Sequence, residues 1–351
     1  MFPKNCWYVA AWSSEITGES LVSRRLLDTA VMLYRKESGE PAALEDKCCH
    51  RFAPLSHGRR EGDCVRCMYH GLLFDAGGIC VDVPGQEKIG ASLKVRSYPV
   101  EERDGFIWIW MGDAQRAEPQ LVHDAHWQTE PGWHTKAGGY IHYDANYQLI
   151  VDNLLDFSHL AYVHGQSIGS GSFAHRKPVV ERGDNQLMVS HWLPEIPTPP
   201  FLRTLSQLPA LVDRSNVYTW HVKGNFFAQD TVVSPANSGG RDSTRPEMVR
   251  LRTIIALTPE TATTTHYFWS TTHNDFASPE AEVTRVLADS VEKAFVEDRV
   301  IIDAQQKVIN DVGEEGMIPI PADNALFQVR GMVLKLLEAE RAAPSLHSAA
   351  A

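Results

Sequence analysis

Residues 48–70 read CCHRFAPLSHGRREGDCVRCMYH, and their spacing decides how the N-terminal part of the chain must fold. The stretch resolves into Cys48-x-His50, sixteen intervening residues, and Cys67-x-x-His70. Each half offers one thiol and one imidazole at a separation too short for one face of a helix. Two tight loops would each present a Cys/His pair to a shared inorganic centre. Two Cys on one iron and two His on the other is the ligand set of a Rieske-type [2Fe–2S] cluster. Tetrahedral Zn²⁺ accepts the same side chains, but a Cys₂His₂ finger keeps its Cys pair and its His pair in separate halves, and here each half is mixed. Gly71 directly after the second His and Pro54 in the first loop suit backbone wound closely around a cluster. Cys49 is expected to pack rather than ligate, and Cys64 to be structural.

Outward from this motif the chain reads as short strands and turns. Residues 5–12 (NCWYVAAW), 30–35 and 41–45 precede it. After it, GLLFDAGGIC (71–80) gives two strands about a Gly77-Gly78 turn, a hairpin signal. Residues 95–111 contain VRSYPV and FIWIWM, the latter a buried-strand pattern. A small all-β domain holding the cluster follows from this. Polar, proline-containing residues 112–120 mark the boundary, so the domains are predicted as 1–115 and 116–342, with a flexible tail at 343–351. The connector Arg59, Arg60 and Arg66, with Arg51 nearby, is locally basic: either a solvated patch or a docking surface for an acidic electron donor.

The whole sequence has 351 residues, 43% hydrophobic and 22% charged, with a net charge of −11. The composition is that of a globular protein of about two domains. The acidic balance argues against nucleic acid and against an anionic membrane surface as partners. No apolar run reaches the ~20 residues a membrane span needs, and no signal peptide is evident. A cytoplasmic location is predicted, where six Cys are better explained by metal binding than by disulfides.

The second domain is predicted to be α+β. Residues 146–164 read as a helix with Leu149, Ile150, Leu154 and Phe157 on its apolar face. Runs at 216–227, 229–234, 249–258 and 262–272 are rich in β-branched and aromatic residues and predict a curved antiparallel sheet. Residues 279–310 predict one long helix, and Asp323 caps a last helix through about Arg341. Within 146–164, Asp156 and His159 are i,i+3, while His159 and His164 are i,i+5, about 140° apart on an ideal helix. Both imidazoles can meet one ion only if the helix breaks, and a wide turn is expected between Leu160 and His164. Two His and one carboxylate form the facial triad of non-haem Fe(II) sites that activate O₂. On the long helix, Val291, Ala294, Phe295, Asp298, Ile301 and Ile302 form a stripe whose lone acid, Asp298, supplies the third ligand. Glu297 falls on the charged face and is read as solvated. An electron-transfer cluster and an open iron site in one chain point to oxygenase chemistry.

With these residues in view, the chain resembles the oxygenase component of Rieske non-haem iron oxygenases over nearly its whole length. It is most similar to the branch of vanillate O-demethylase, dicamba monooxygenase and toluenesulfonate methyl-monooxygenase. The stretches that carry the resemblance are NCWYVAAW, CCHRFAPLS, CMYHGLLFD, FIWIWMGD, NYQLIVDNLLDFSHLAYVH and VEDRVIIDAQQ. The resemblance implies an N-terminal Rieske domain, a C-terminal helix-grip domain with mononuclear iron, and a head-to-tail homotrimer in which the cluster of one chain serves the iron of its neighbour. It implies that Asp156 bridges a cluster histidine, His70, to His159 of the next subunit, and that Asn153 lies near the iron. It also implies a terminal monooxygenase of aromatic catabolism. That enzyme hydroxylates a methyl group of an aromatic acid, O-demethylating a methoxybenzoate-type substrate with release of formaldehyde. The alternatives are methyl hydroxylation of a toluenesulfonate-like compound and N-demethylation. Electrons from NAD(P)H must come through a separate reductase or ferredoxin, since the chain carries no flavin or NAD fingerprint. The pocket wall is expected to draw on residues such as Phe226, Phe227, His266, Tyr267, Phe268 and Trp269, of which alternation along a strand lets only half face inward. Ile255 stands where the dicamba pattern places a polar His, so the substrate acid group must be held differently. A bare Rieske electron carrier would need only the first hundred or so residues.

Overall fold

The computed structural model describes residues 1–18, 20–165, 167–169 and 171–342; the predicted tail at 343–351 lies outside the described residues. The described residues form two compact units, residues 1–124 with 258–262, and residues 125–257 with those from 263 onward.

The first unit is all β apart from short 3₁₀ turns. Its opening strand, Trp7–Trp12, is buried along its length and pairs antiparallel with Phe106–Trp110, also fully buried. A strand hidden on both faces needs no polar alternation, which is why both runs are continuously apolar. Two four-stranded sheets complete the unit. One consists of Arg59–Glu61, Cys64–Arg66, Leu73–Phe74 and Cys80–Asp82, and the two cluster-motif loops flank its first strands. Residues 258–262 belong here because the Leu27 and Asp28 amides donate to the carbonyls of Pro259 (2.8 Å) and Glu260 (2.9 Å). That attachment is made by residues far apart in the chain, and no local pattern announces it.

The second unit is built on a seven-stranded sheet. Its order is Trp133–Tyr143, Thr264–Asn274, Val249–Thr261, Phe226–Pro235, Leu211–His221, Gln186–Pro197 and Val179–Arg182. Three of these strands lay outside the expected set. Trp133–Tyr143 was masked by its glycines and by a register shift between Lys136 and Gly139. Gly139 is required there, because a Cβ would lie 2.2 Å from the Trp269 ring.

Three helices serve this sheet: α1 (Tyr147–Leu155), α2 (Glu280–Val312) and α3 (Asn324–Ala342). Asn146 caps α1, its Oδ1 accepting from Gln148 N at 2.8 Å. The 33-residue α2 buries Leu287, Ala294, Phe295, Asp298 and Ile302. Ile301, expected on the same stripe, is exposed at 55%. Phe295 seats on Tyr267 and Trp269, with ring centroids 5.1 and 5.5 Å away. Its carbonyl accepts from the Tyr143 hydroxyl at 2.9 Å. Burying that ring contributes roughly 1.5–3 kcal/mol and sets the rotation that turns Asp298 inward. α3 is tied to α1 by Arg330, which pairs with Asp152 at 2.6 Å.

Candidate metal centres

The two loops of the first unit close in the same way despite different sequences. In the first, Phe52 N donates to Cys48 O and Cys48 N to Ala53 O, both at 2.9 Å. In the second, Gly71 N donates to Cys67 O (2.9 Å) and Cys67 N to Leu72 O (2.8 Å). Each loop therefore turns back on its cysteine at the fourth residue, where φ is positive: +59° at Phe52 and +79° at Gly71. A Cβ at Gly71 would also lie 2.7 Å from the Pro84 ring, so glycine is required there for two reasons.

This closure sends the two side-chain types in opposite directions. Cys48 and Cys67 are buried, at 2% and 1%, in a core with Leu55, Val65, Leu72 and Phe74. His50 and His70 are exposed, their ring centroids 4.5 Å apart. Burial pushes the Cys48 thiol up to about 11, so thiolate there needs a metal's charge. Desolvation, then the charges of His50 and Arg51, hold His70 below its usual value. That favours the neutral imidazole a metal requires. Among the described residues, the sole set of three or more His, Cys or carboxylate donors lying within 4.8 Å of one another is in the second unit. The four motif residues thus do not converge on a single point, as tetrahedral zinc would demand. Paired buried thiols beneath paired outer imidazoles instead suit a cluster of two irons. Cys49 packs at the edge of the same core. Arg59 and Arg66 both pair with Glu61 (2.6 and 2.7 Å), and Arg66 also with Asp82 (2.8 Å). Two of the three connector arginines are thus paired with carboxylates, Arg60 donates to the Arg35 carbonyl at 2.7 Å, and Arg51 is exposed beside the loops.

In the second unit, His159, His164 and Asp298 form the converging set. The helix breaks twice: a turn at Tyr162 and Val163 lies at the expected position between Leu160 and His164, and an earlier break was not expected. α1 stops at Leu155, Asp156 is extended (φ −96°, ψ 102°), and a 3₁₀ turn follows over Phe157–Ala161. The cause is Asp156 itself: its Oδ1 accepts from Ser158 N at 2.7 Å, the competition with helix continuation that short acidic side chains offer. Asp156 and His159 thus do not share a helical face. Instead, the Asp156 carbonyl meets His159 Nδ1, leaving Nε2 directed toward Asp298 Oδ1 at 3.5 Å. His164 Nε2 lies 3.0 Å from the same oxygen.

Both imidazoles are held from behind, a pattern that fixes tautomer and ring orientation in metal sites. His164 Nδ1 donates to Glu297 Oε2 at 2.8 Å, and Ser167 Oγ donates to that oxygen at 2.7 Å. Glu297 is therefore not the solvated acid of the charged face but the residue that aims His164. The signal for it was its place beside Asp298 on α2, which amphipathic patterning discounts. Asn153 Nδ2 donates to Asp298 Oδ1 at 3.1 Å, so its contact is to the proposed ligand. Burial lowers the His159 pKa. At His164 burial is outweighed by Asp298 and then Glu297, and the pKa rises. A buried carboxylate facing two imidazoles is costly without a cation between them, and the donors suit Fe(II) with open positions.

A cavity adjoins this set, lined by His159, His164 and Asp298 and floored by Arg214, Tyr218 and Thr253 of the sheet. None of the six aromatic and His residues named as candidates for the pocket wall lines it. Tyr267 and Trp269 are core beneath Phe295, and Ile255 is buried outright.

With both sites in view, comparison with known proteins is decisive. Residues 6–99 match the Rieske [2Fe-2S] domain, and residues 143–339 match the vanillate O-demethylase oxygenase C-terminal domain. The chain is 45% identical to the iron-sulfur subunit of a toluene-4-sulfonate monooxygenase system from Comamonas testosteroni, covering 97% of this chain and 98% of that one. It is 37% identical to the oxygenase component of dicamba O-demethylase from Stenotrophomonas maltophilia, covering 97% and 99%. The crystal structure of dicamba monooxygenase bound to 3,6-dichlorosalicylic acid superposes with a TM-score of 0.88 at 35% identity, over 97% of this chain and 99% of that one. One family model falls in each of the two units, and the chain belongs to the Rieske non-haem iron oxygenases as an oxygenase component of a Rieske monooxygenase.

Proposed function

We propose that this chain is the terminal oxygenase that hydroxylates a methyl group of an aromatic acid, with O-demethylation of a methoxybenzoate-type substrate as the leading form. The observation that carries the reading is the convergence of His159, His164 and Asp298 on one point beside a cavity. Cys48, His50, Cys67 and His70 would hold the [2Fe–2S] cluster, and His159, His164 and Asp298 the mononuclear Fe(II). Loaded with iron, the second site would supply O₂ activation, one oxygen atom entering a methyl C–H bond and the other leaving as water, with two electrons that a separate reductase draws from NAD(P)H. The chain's own residues orient that chemistry. Glu297 and the Asp156 carbonyl lock the two imidazoles, Asn153 holds the carboxylate, and the sheet floor positions the substrate. With a methyl ether, the hydroxylated product is a hemiacetal that collapses to a phenol and formaldehyde. The toluene-4-sulfonate relative at 45% identity favours a second reading, C-methyl hydroxylation that stops at the benzylic alcohol.

The test is NADH-driven turnover with a surrogate reductase against vanillate, veratrate and p-toluenesulfonate. Formaldehyde in step with O₂ supports the first reading and benzylic alcohol the second. O₂ and NADH consumed with neither product would sink both.

The working unit is a head-to-tail trimer in the cytoplasm, by the same proposal. Exposed apolar side chains support it: Phe52 (68%) and Tyr69 (61%) beside the cluster loops, and Tyr162 (79%) between the two iron histidines. In the proposed trimer a second copy would cover them. Asp156 then links the neighbour's His70 to His159. Asn caps as well as Asp, so Asp156→Asn should keep the fold and both metals while turnover falls by about 10- to 100-fold. Iron analysis with single-turnover kinetics checks this, and an undiminished rate would remove the link.

A further inference from the structure

The floor of the iron-site cavity carries a buried cation with no anion. Arg214 is 4% exposed and lines the cavity with His164, Tyr218 and Asp298. Its Nε donates to Asn216 Oδ1 (3.2 Å) and its Nη1 to the Ile168 carbonyl (2.9 Å). Its guanidinium lies over the Phe173 ring, 5.1 Å from the centroid. All of these partners are neutral, and among the described residues no carboxylate pairs with it. The contrast with other arginines of this unit is sharp. Arg241 and Arg250 share Asp230, and Arg330 has Asp152 and Glu314. A guanidinium taken out of water without a counter-charge is expensive, so the place is kept for an anion that arrives from outside.

A second observation marks the same spot. Asn216, two residues along the same strand face, is fully buried. Its Oδ1 is taken by Arg214 and by Thr231 Oγ1 at 3.0 Å, and its Nδ2 has no hydrogen-bond partner. Among the described residues one buried amide donor, beside one unpaired guanidinium, is thus without an acceptor. Tyr218, the next residue on that face, feels the positive charge of Arg214 and the negative charge of Asp298. It lines the same cavity as Arg214 and Asp298.

We propose that Arg214, oriented by Asn216, is the counter-ion for the acid group of the substrate, a carboxylate or sulfonate on the aromatic ring. Planar, two-pronged recognition of such oxyanions is what a guanidinium does best. Anchoring the acid at Arg214 fixes which methyl group faces the iron ligands, so this residue sets regiochemistry as well as affinity. The proposal rests on the aromatic-acid reading given above.

The test uses unreactive ligands and iron-loaded enzyme. Calorimetry would measure benzoate and benzenesulfonate against their neutral counterparts, acetophenone and methyl phenyl sulfone, in wild type and in Arg214→Met. The wild type should prefer the anion, and the better anion of the two identifies carboxylate or sulfonate as the native group. Arg214→Met should weaken anion binding by about 100-fold and leave the neutral ligands unchanged. Equal losses for anion and neutral ligand, or no loss for either, would overturn the assignment. Should Arg214→Met fail to fold, the wild type alone decides, since equal affinity for benzenesulfonate and methyl phenyl sulfone also overturns it. Binding is read without turnover, so the two readings can fail separately. Arg214-dependent anion binding without oxygenated product refutes the proposed reaction, and oxygenated product with charge-blind binding refutes the anchor.

Discussion

Asp298→Ala should lower the iron content from about three atoms per chain to about two and abolish substrate-coupled O₂ use, while the visible spectrum of the cluster stays as in the wild type. The reasoning is geometric. Nε2 of His159 and of His164 both approach the same Asp298 oxygen, at 3.5 and 3.0 Å, so the carboxylate is the point about which the set closes. Without it, the two imidazoles remain, with the Asn153 amide donor beside them, and no third ligand is left. The fold should survive. The truncation removes a buried charge, but it also leaves Asn153 Nδ2 without its acceptor, at a cost of about 1–3 kcal/mol. Packing of Phe295 against Tyr267 and Trp269 is untouched. Metal analysis by mass spectrometry, with circular dichroism for the fold, decides the matter. A variant that keeps three irons and its turnover would show that Asp298 is only a buried partner of the histidines, and Asp298→Asn, nearly the same in volume, guards against an effect of the cavity itself.

What could be read in the sequence followed the range of the interactions involved. The loops at Cys48–His50 and Cys67–His70 are closed by hydrogen bonds four and five residues apart, so spacing alone exposes them. Asp298 was legible because a lone acid on an apolar stripe violates patterning. Glu297 was not, because its function depends on His164, 133 residues away, and nothing local separates it from a solvated acid. The turn at Tyr162 and Val163 follows from the angle between His159 and His164, but the earlier break is set by the Asp156 cap, which an apolar periodicity does not weigh. The pocket went wrong for a related reason. Aromatic runs suggest a binding wall, yet Tyr267 and Trp269 fill the core under Phe295 of α2, Phe268 packs against Tyr140, and the sheet presents Arg214, Gln229, Thr231 and Thr253 to the cavity beside Tyr218 and Leu251. Arg214, Thr231 and Thr253 carry no strand-level signal that would distinguish them from outward-facing positions.

Cys67→Ser and Asp298→Ala, each inactive alone, should restore activity when the two chains are co-expressed and assemble together. Cys67→Ser removes a thiol that is 1% exposed and so removes the cluster. The loop survives, because its closing hydrogen bonds, Gly71 N to Cys67 O and Cys67 N to Leu72 O, are made by the backbone. The buried hydroxyl costs about 1–3 kcal/mol, which the core of Leu55, Val65, Leu72 and Phe74 can absorb. That chain keeps a sound iron site and lacks an electron source, and Asp298→Ala is its mirror image. In a head-to-tail ring each iron is served by the cluster of a neighbour. At equal expression a given chain bears the sound iron half the time, and the neighbour serving it bears the sound cluster half the time. About one quarter of wild-type turnover per chain should therefore return in the mixed assembly. If electrons instead passed from cluster to iron within one chain, every route would contain a broken site and nothing would return. Formaldehyde or alcohol formation in mixed and separately purified preparations distinguishes the two routes, and an inactive mixture of well-loaded chains would refute the trimer relay while leaving both metal sites as assigned.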